Sequence, residues 1–163
     1  MKNKPTVYLE TTLPSYLTAR PSTNLIVAGK QEITRQWWER RKEKYDLFIS
    51  QYVLDEAGNG DPEAAQKRIH AISDIAILEV DEEIISLSER IMNTELIPLK
   101  ADTDAAHIAV ASRHSIDFLL TWNCTHIANA EILVKVNHVV SQAGYFLPTI
   151  CTPDELFGGE NYE

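Results

Sequence analysis

Two patterns of apolar and polar positions alternate along this chain. Short runs of apolar, β-branched or aromatic residues recur at Thr6–Leu9, Asp46–Ile49, Ala76–Val80 and Phe118–Thr121, and each reads as a buried strand. Between them lie longer stretches with helical spacing. Ile26, Ile33 and Trp37 repeat at seven and four, which predicts a helix from Asn24 to about Lys44 with those residues on its apolar face. Ile84, Leu87 and Ile91 repeat at three and four, with Ile85 beside them, which predicts a helix from a cap at Asp81 to Asn93. The alanine-rich ADTDAAHIAVASRH predicts a helix over Ala101 to His114. A turn at Trp122-Asn123 leads into helical sequence up to about Gln142, and Thr149–Cys151 reads as a last short strand.

Start and stop signals sharpen this outline. Thr12 is placed to cap a short helix with Pro14 in its first turn. Ser50 reads as the N-cap of a helix over Gln51–Glu56, which Gly58 and Gly60 end. Asp61-Pro62-Glu63 combines a cap, a proline at the first helical position and an acid in the first turn, predicting a helix to about Ser73. Apolar strands alternating with helices are the signature of a parallel sheet covered by helices, with both faces of each strand buried. Chemistry in such sheets collects at the carboxyl ends of the strands.

At 163 residues the chain is one domain in length, read here as residues 1–157 with a polar tail over 158–163. Hydrophobic residues at 44% and charged residues at 24% exclude wholesale disorder. No uncharged run reaches the ~18 residues of a membrane span. Glu10 interrupts the only stretch resembling a secretion signal, and two cysteines make no disulfide framework, so a cytoplasmic location is expected. The net charge of −9 argues against nonspecific coating of nucleic acid, which depends on phosphate neutralisation. It does not exclude a nuclease, because a cation held by clustered carboxylates reverses the local field.

Four residues from four segments fall near one end of the expected sheet. Glu10 follows the first strand directly, Glu56 lies in the helix after the second, Asp104 starts the helix that feeds the fourth, and Asn123 follows the fourth. Acids at helix starts are often only caps, but a charge directly after a buried strand is costly unless employed. Crowded carboxylates raise one another's pKa unless a cation neutralises them, and Mg²⁺ or Mn²⁺ suits carboxylate, carbonyl and water ligands.

The segments YLETTLPSYL, FISQYVLDE, DAAHIAVA and LLTWN, in this order and spacing, resemble the four motif segments of PIN-domain ribonucleases, most of all the VapC-type toxins of toxin–antitoxin pairs. The resemblance spans Thr6 to about Leu156. It implies a three-layer α/β/α sandwich on a mostly parallel sheet and a Mg²⁺- or Mn²⁺-dependent endoribonuclease. Its site residues, catalytic and metal-binding, correspond to Glu10, Glu56, Asp104 and Asn123, with hydroxyl neighbours Thr12 and Thr121. It further implies an RNA substrate and a cognate antitoxin partner. The chain departs from the family twice. Glu10 stands where Asp is usual, and Asn123 stands where an acid is common, leaving three formal negative charges rather than four.

Other residues admit several readings. His107 shares a helix face with Asp104, as ligand, phosphate contact or structural histidine, and the structural role is simplest because the carboxylates suffice. His126, near Asn123, is read the same way, and Cys124 as a small buried residue. Positions 35–44 (RQWWERRKEK) carry five basic residues and two tryptophans. Trp37 is expected in the core. Trp38 is expected near the arginines, where it contacts RNA, another chain or an apolar edge, and this helix suits homodimerisation. Trp122 is expected at the rim of the site, and Arg20 and Lys100 are candidate phosphate contacts. Two competing functions remain. A non-catalytic PIN-fold binding module fits the two departures, whereas a nucleotide-binding domain lacks a Gly-rich phosphate loop after the first strand.

Overall fold

A computed structural model describes residues 3–159. In chain order its elements are β1 (Thr6–Leu9), α1 (Thr12–Thr18), α2 (Leu25–Arg40), β2 (Asp46–Ser50), α3 (Gln51–Ala57), α4 (Pro62–Ala71), β3 (Ala76–Leu78), α5 (Glu82–Met92), α6 (Asp102–Arg113), β4 (Phe118–Leu120), α7 (Ala130–Gln142) and β5 (Thr149–Cys151). Every strand pair is parallel, in the order β3-β2-β1-β4-β5. The connections run outward from β1 to β3 and then return to β4 and β5. Right-handed crossovers, the rule for parallel strands, therefore place α1–α4 on one face and α5–α7 on the other. Contacts of α1 with α2 and α4, and of α5 with α6 and α7, agree with that division. The chain is a three-layer α/β/α sandwich.

β1 is the central strand, with Tyr8 opposite Phe48 of β2 and Leu119 of β4. Its residues Val7, Tyr8 and Leu9 are fully buried, as a parallel strand covered on both faces requires. Among the helices α6 is the most deeply packed, buried without interruption from Ala105 to Ser112. Its alanines let it lie close to the sheet and to α5. On α5, Ile84, Leu87 and Ile91 form the buried face that their spacing predicts, whereas Ile85 is half exposed. Four helices begin at caps of ordinary chemistry. Asn24, Asp61, Asp81 and Asn129 each accept a backbone N–H of the first turn through the side chain.

Several expectations are corrected. The long helix stops at Arg40, and Lys42–Lys44 form a separate 3-10 turn. Ile26 does not join its buried face and is 73% exposed, because only the later turns of α2 reach the core. There Trp37 is buried and donates from Nε1 to the Leu156 carbonyl at 3.1 Å. β3 ends at Leu78 and is an edge strand with Ile77 57% exposed, so apolar cover on both faces fails there. The last helix starts only at Ala130, because the Asn123 carbonyl gathers the N–H groups of Ile127 and Ala128 into a turn. Cys124 is exposed rather than buried, while Cys151 is buried at the end of β5. Of the polar tail expected over 158–163, residues 160–163 lie outside the described residues. Among the described residues no helix is long and apolar enough to cross a membrane.

Burial pushes the Cys151 thiol up to about 12, where the reactive thiolate is scarce at neutral pH. A thiol reagent at pH 8 should therefore modify one thiol per native chain, at Cys124, and both only in denaturant. Rapid modification of both in the native protein would contradict this packing.

Candidate metal centre

The order of the sheet reverses at β1 and β4, so the crevice for a ligand opens between their carboxyl ends. Glu10 stands at that point. Its N–H continues the ladder to the Leu120 carbonyl at 3.1 Å, and only 3% of the residue is exposed. The Thr12 and Thr121 hydroxyls both donate to its Oε1, each at 2.6 Å. Each hydroxyl also accepts a backbone N–H, Thr12 from Trp122 at 2.8 Å and Thr121 from Asn123 at 2.9 Å. One carboxylate oxygen thus ties the end of β1 to the turn after β4. Among the described residues Oε2 takes no hydrogen bond.

The hydroxyls that read as helix caps serve this end of the sheet instead. Thr12 lies inside α1 and bonds Glu10, while Thr11, the residue that opens α1, donates to Glu56 Oε1 at 2.7 Å. Ser50 makes no cap bond to α3, and its Oγ lies 2.7 Å from the Tyr8 hydroxyl. That hydroxyl lies 2.6 Å from His107 Nδ1, and His107 Nε2 lies 2.5 Å from Glu56 Oε1. A buried relay therefore runs from Ser50 through Tyr8 and His107 to Glu56, where α3 and α6 touch. Glu10, Glu56 and His107 each present one ligand atom, and all three atoms lie within 4.8 Å of one another.

Electrostatics divides the two glutamates. Burial raises the Glu10 pKa, and Glu56 adds to this, against the opposing charge of His107 and the bonds from Thr12 and Thr121. Burial also pushes Glu56 up, but hydrogen bonding and charge from His107, with the Thr11 bond, hold it below its usual value. Burial raises Tyr8 well above the ordinary range, so the relay passes through a neutral phenol. The donor set fits a divalent cation: a buried carboxylate whose ionised form is disfavoured, with one oxygen unpartnered, beside a second carboxylate and an imidazole.

The other two predicted residues meet at His126. Asp104 Oδ2 lies 2.8 Å from His126 Nδ1, and Asn123 Oδ1 accepts the His126 N–H at 3.0 Å. Asp104 lies one turn before His107 on α6 but outside the 4.8 Å group. Trp122 is buried rather than at the rim. Its Nε1 donates to Thr34 Oγ1 at 2.8 Å, and Lys30 Nζ lies 5.4 Å from the centre of its ring. Trp38 is half-buried against the core, with Lys42 Nζ 4.5 Å from its ring centre, and Arg20 and Lys100 are exposed. Tyr8 and Thr11 have no site role in the sequence reading, and Ser50 appears there only as a helix cap. Tyr8 carried a usable signal, since residues two apart on a strand share a face and Glu10 follows it by two.

No family model matches the chain, and no curated protein is similar to it in sequence. Among solved structures it is similar to VapC20 of Mycobacterium tuberculosis, described as a sarcin–ricin loop cleaving toxin. The two share 12% identity and a TM-score of 0.48 over 80% of this chain and 95% of that one.

The raised Glu10 pKa makes a signed prediction. The folded chain holds a proton there that the unfolded chain has released, so Glu10 costs stability as pH rises from 4.5 through its folded value. Glu56 acts oppositely: its contribution is complete above 4.5 and is lost as pH falls through its folded value. In chelator at pH 7, Glu10→Gln should therefore melt above the wild type, by ~2–4 °C for each kcal/mol recovered in a chain of this size. The advantage should vanish near pH 4.5. A variant that melts lower at pH 7 would refute the stated burden.

Proposed function

We propose that this chain is a divalent-metal-dependent endoribonuclease that hydrolyses RNA phosphodiester bonds, acting as the toxin of a toxin–antitoxin pair. The observation that carries the reading is the convergence of Glu10, Glu56 and His107 at the switch point of a parallel sheet. RNA as substrate rests on the resemblance of the four motif segments. In this reading Glu10, Glu56 and Asp104 hold Mg²⁺ or Mn²⁺, and the Asn123 carbonyl holds a water or a second ion. A bound ion of this kind lowers the pKa of a water and stabilises charge on a phosphoryl oxygen.

The chain's own residues have defined parts. Thr12 and Thr121 fix the Glu10 carboxylate through Oε1, which leaves Oε2 without a hydrogen bond among the described residues. Thr11 and His107 fix Glu56 in the same way. By the family's pattern the products carry 5′-phosphate and 3′-hydroxyl ends. The net charge of −9 suits a site where a cation, rather than a basic surface, draws in the phosphate. A cognate antitoxin that restrains the enzyme, a homodimer formed through the tryptophan-bearing helix and a cytoplasmic location belong to the same proposal.

One observation favours a second reading, a PIN-fold binding module without catalysis. Glu56 Oε1 already takes two partners, and His107 supplies one of them, so much of the cluster is satisfied internally.

RNA cleavage with Mg²⁺ or Mn²⁺, against a chelator control, separates the two. The nuclease reading expects cleavage by the wild type and a loss of at least ~100-fold in Asp104→Asn, which removes a ligand charge while keeping the side chain's size. Glu10→Asp draws the carboxylate back from both threonine hydroxyls and should lower activity together with stability, by about 1–3 kcal/mol. No cleavage by the wild type with either metal, across varied RNAs, would favour the binding module.

A further inference from the structure

The family resemblance assigns the site to acids and an amide, and it leaves His107 without a part beyond packing. The geometry around His107 says more. The ring is fully buried, and both nitrogens have partners: Nδ1 at 2.6 Å from the Tyr8 hydroxyl and Nε2 at 2.5 Å from Glu56 Oε1. Tyr8 is in turn 2.7 Å from Ser50 Oγ. Hydroxyls donate or accept by rotation, so the Tyr8–Ser50 pair satisfies either tautomer of the ring. In one arrangement Ser50 donates to Tyr8, Tyr8 donates to Nδ1, and Nε2–H donates to Glu56. In the other, Nδ1–H donates to Tyr8, Tyr8 donates to Ser50, and Nε2 carries a lone pair. Between these two neutral forms of the ring, one proton moves from Nε2 to Nδ1 and two hydroxyls rotate.

The second arrangement is the one metal-binding histidines adopt, with one nitrogen on the metal and the other N–H held by a fixed acceptor. Nε2 faces Glu56 at 2.5 Å, and the ring supplies one ligand atom to the group within 4.8 Å that Glu10 and Glu56 complete. Glu10 is buried, and its Oε2 takes no hydrogen bond among the described residues. A cation at this point takes the place of the Nε2–H that Glu56 otherwise accepts.

We propose that His107 is a direct nitrogen ligand of the site's cation, presented through Nε2 by the Tyr8–Ser50 pair, so that the site prefers Mn²⁺ and similar imidazole-accepting ions over Mg²⁺. The inference rests on the metal reading of Glu10 and Glu56. It adds a ligand, a positioning pair and an ion preference. Imidazole suits transition ions, whereas Mg²⁺ keeps to oxygen ligands and retains its waters. Tyr8 and Ser50 touch no ion and act only through the ring.

Pulsed electron paramagnetic resonance of Mn²⁺ bound to the full chain tests this without reference to activity. The wild type should show the modulation of a directly bound ¹⁴N. The signal should vanish in His107→Gln and persist in His126→Gln, which controls for the neighbouring imidazole. Mn²⁺ affinity should fall at least 10-fold in His107→Gln, and Mg²⁺ affinity by a smaller factor. Tyr8→Phe should keep the nitrogen signal but weaken Mn²⁺ binding by about 10-fold or more. Bound Mn²⁺ with no nitrogen modulation in the wild type would overturn the inference and leave the metal nuclease standing. Modulation lost only in His126→Gln would overturn it as well. No Mn²⁺ binding at millimolar metal would overturn both the inference and the metal reading. If His107→Gln fails to fold, loss of the signal in His126→Gln overturns the inference and its persistence there supports it.

Discussion

Everything at the carboxyl end of this sheet follows from the burial of one carboxylate, that of Glu10. Placing an ionised group where water cannot reach costs several kcal/mol unless hydrogen bonds or opposite charge offset it. Two threonine hydroxyls, from the residue two ahead on α1 and from the first residue after β4, both converge on Oε1. They hold the two strand ends in register around the crevice. They do not make the ionised form easy, since burial still outweighs them. The rest of the cluster, Glu56 with His107 and the Tyr8–Ser50 pair behind it, is the surrounding needed to keep a second carboxylate charged beside the first.

That constraint also explains which features were readable in the sequence. Asn24, Asp61 and Asp81 take no part in the polar cluster, and each accepts the first-turn N–H that its residue type and position imply. Thr12 and Ser50 carry the same local signal, yet neither caps, because each hydroxyl has a stronger partner brought in by the fold. A local propensity was overruled only where the chain assembles its polar cluster. β1 and β5 could be delimited because their neighbours break the pattern at once. The far end of α2 and the start of α7 could not, since helical sequence runs on past Arg40 and the turn after β4 takes up the residues before Ala130.

The candidate site shows the same division. Glu10 was conspicuous as a charge after a buried strand. Its closeness to Glu56 depends on α3, which follows β2 without a loop and packs against it. His107 lay in plain view three residues after Asp104, but its partners, Tyr8 and Glu56, are 99 and 51 positions away in the chain. Separations of that size are created by topology and leave no trace in local spacing. Asp104 turned toward His126, a pairing equally invisible before the turn after β4 was known.

The central claim is that Glu10, Glu56 and His107 enclose a cation. Anomalous diffraction from crystals of the protein grown with Mn²⁺ tests it most directly. The account predicts a peak bounded by these three side chains, within coordination distance of a ligand atom of each. A crystal at saturating Mn²⁺ with no peak there, the Glu56–His107 hydrogen bond intact and Glu10 Oε2 bonded only to water, would contradict it.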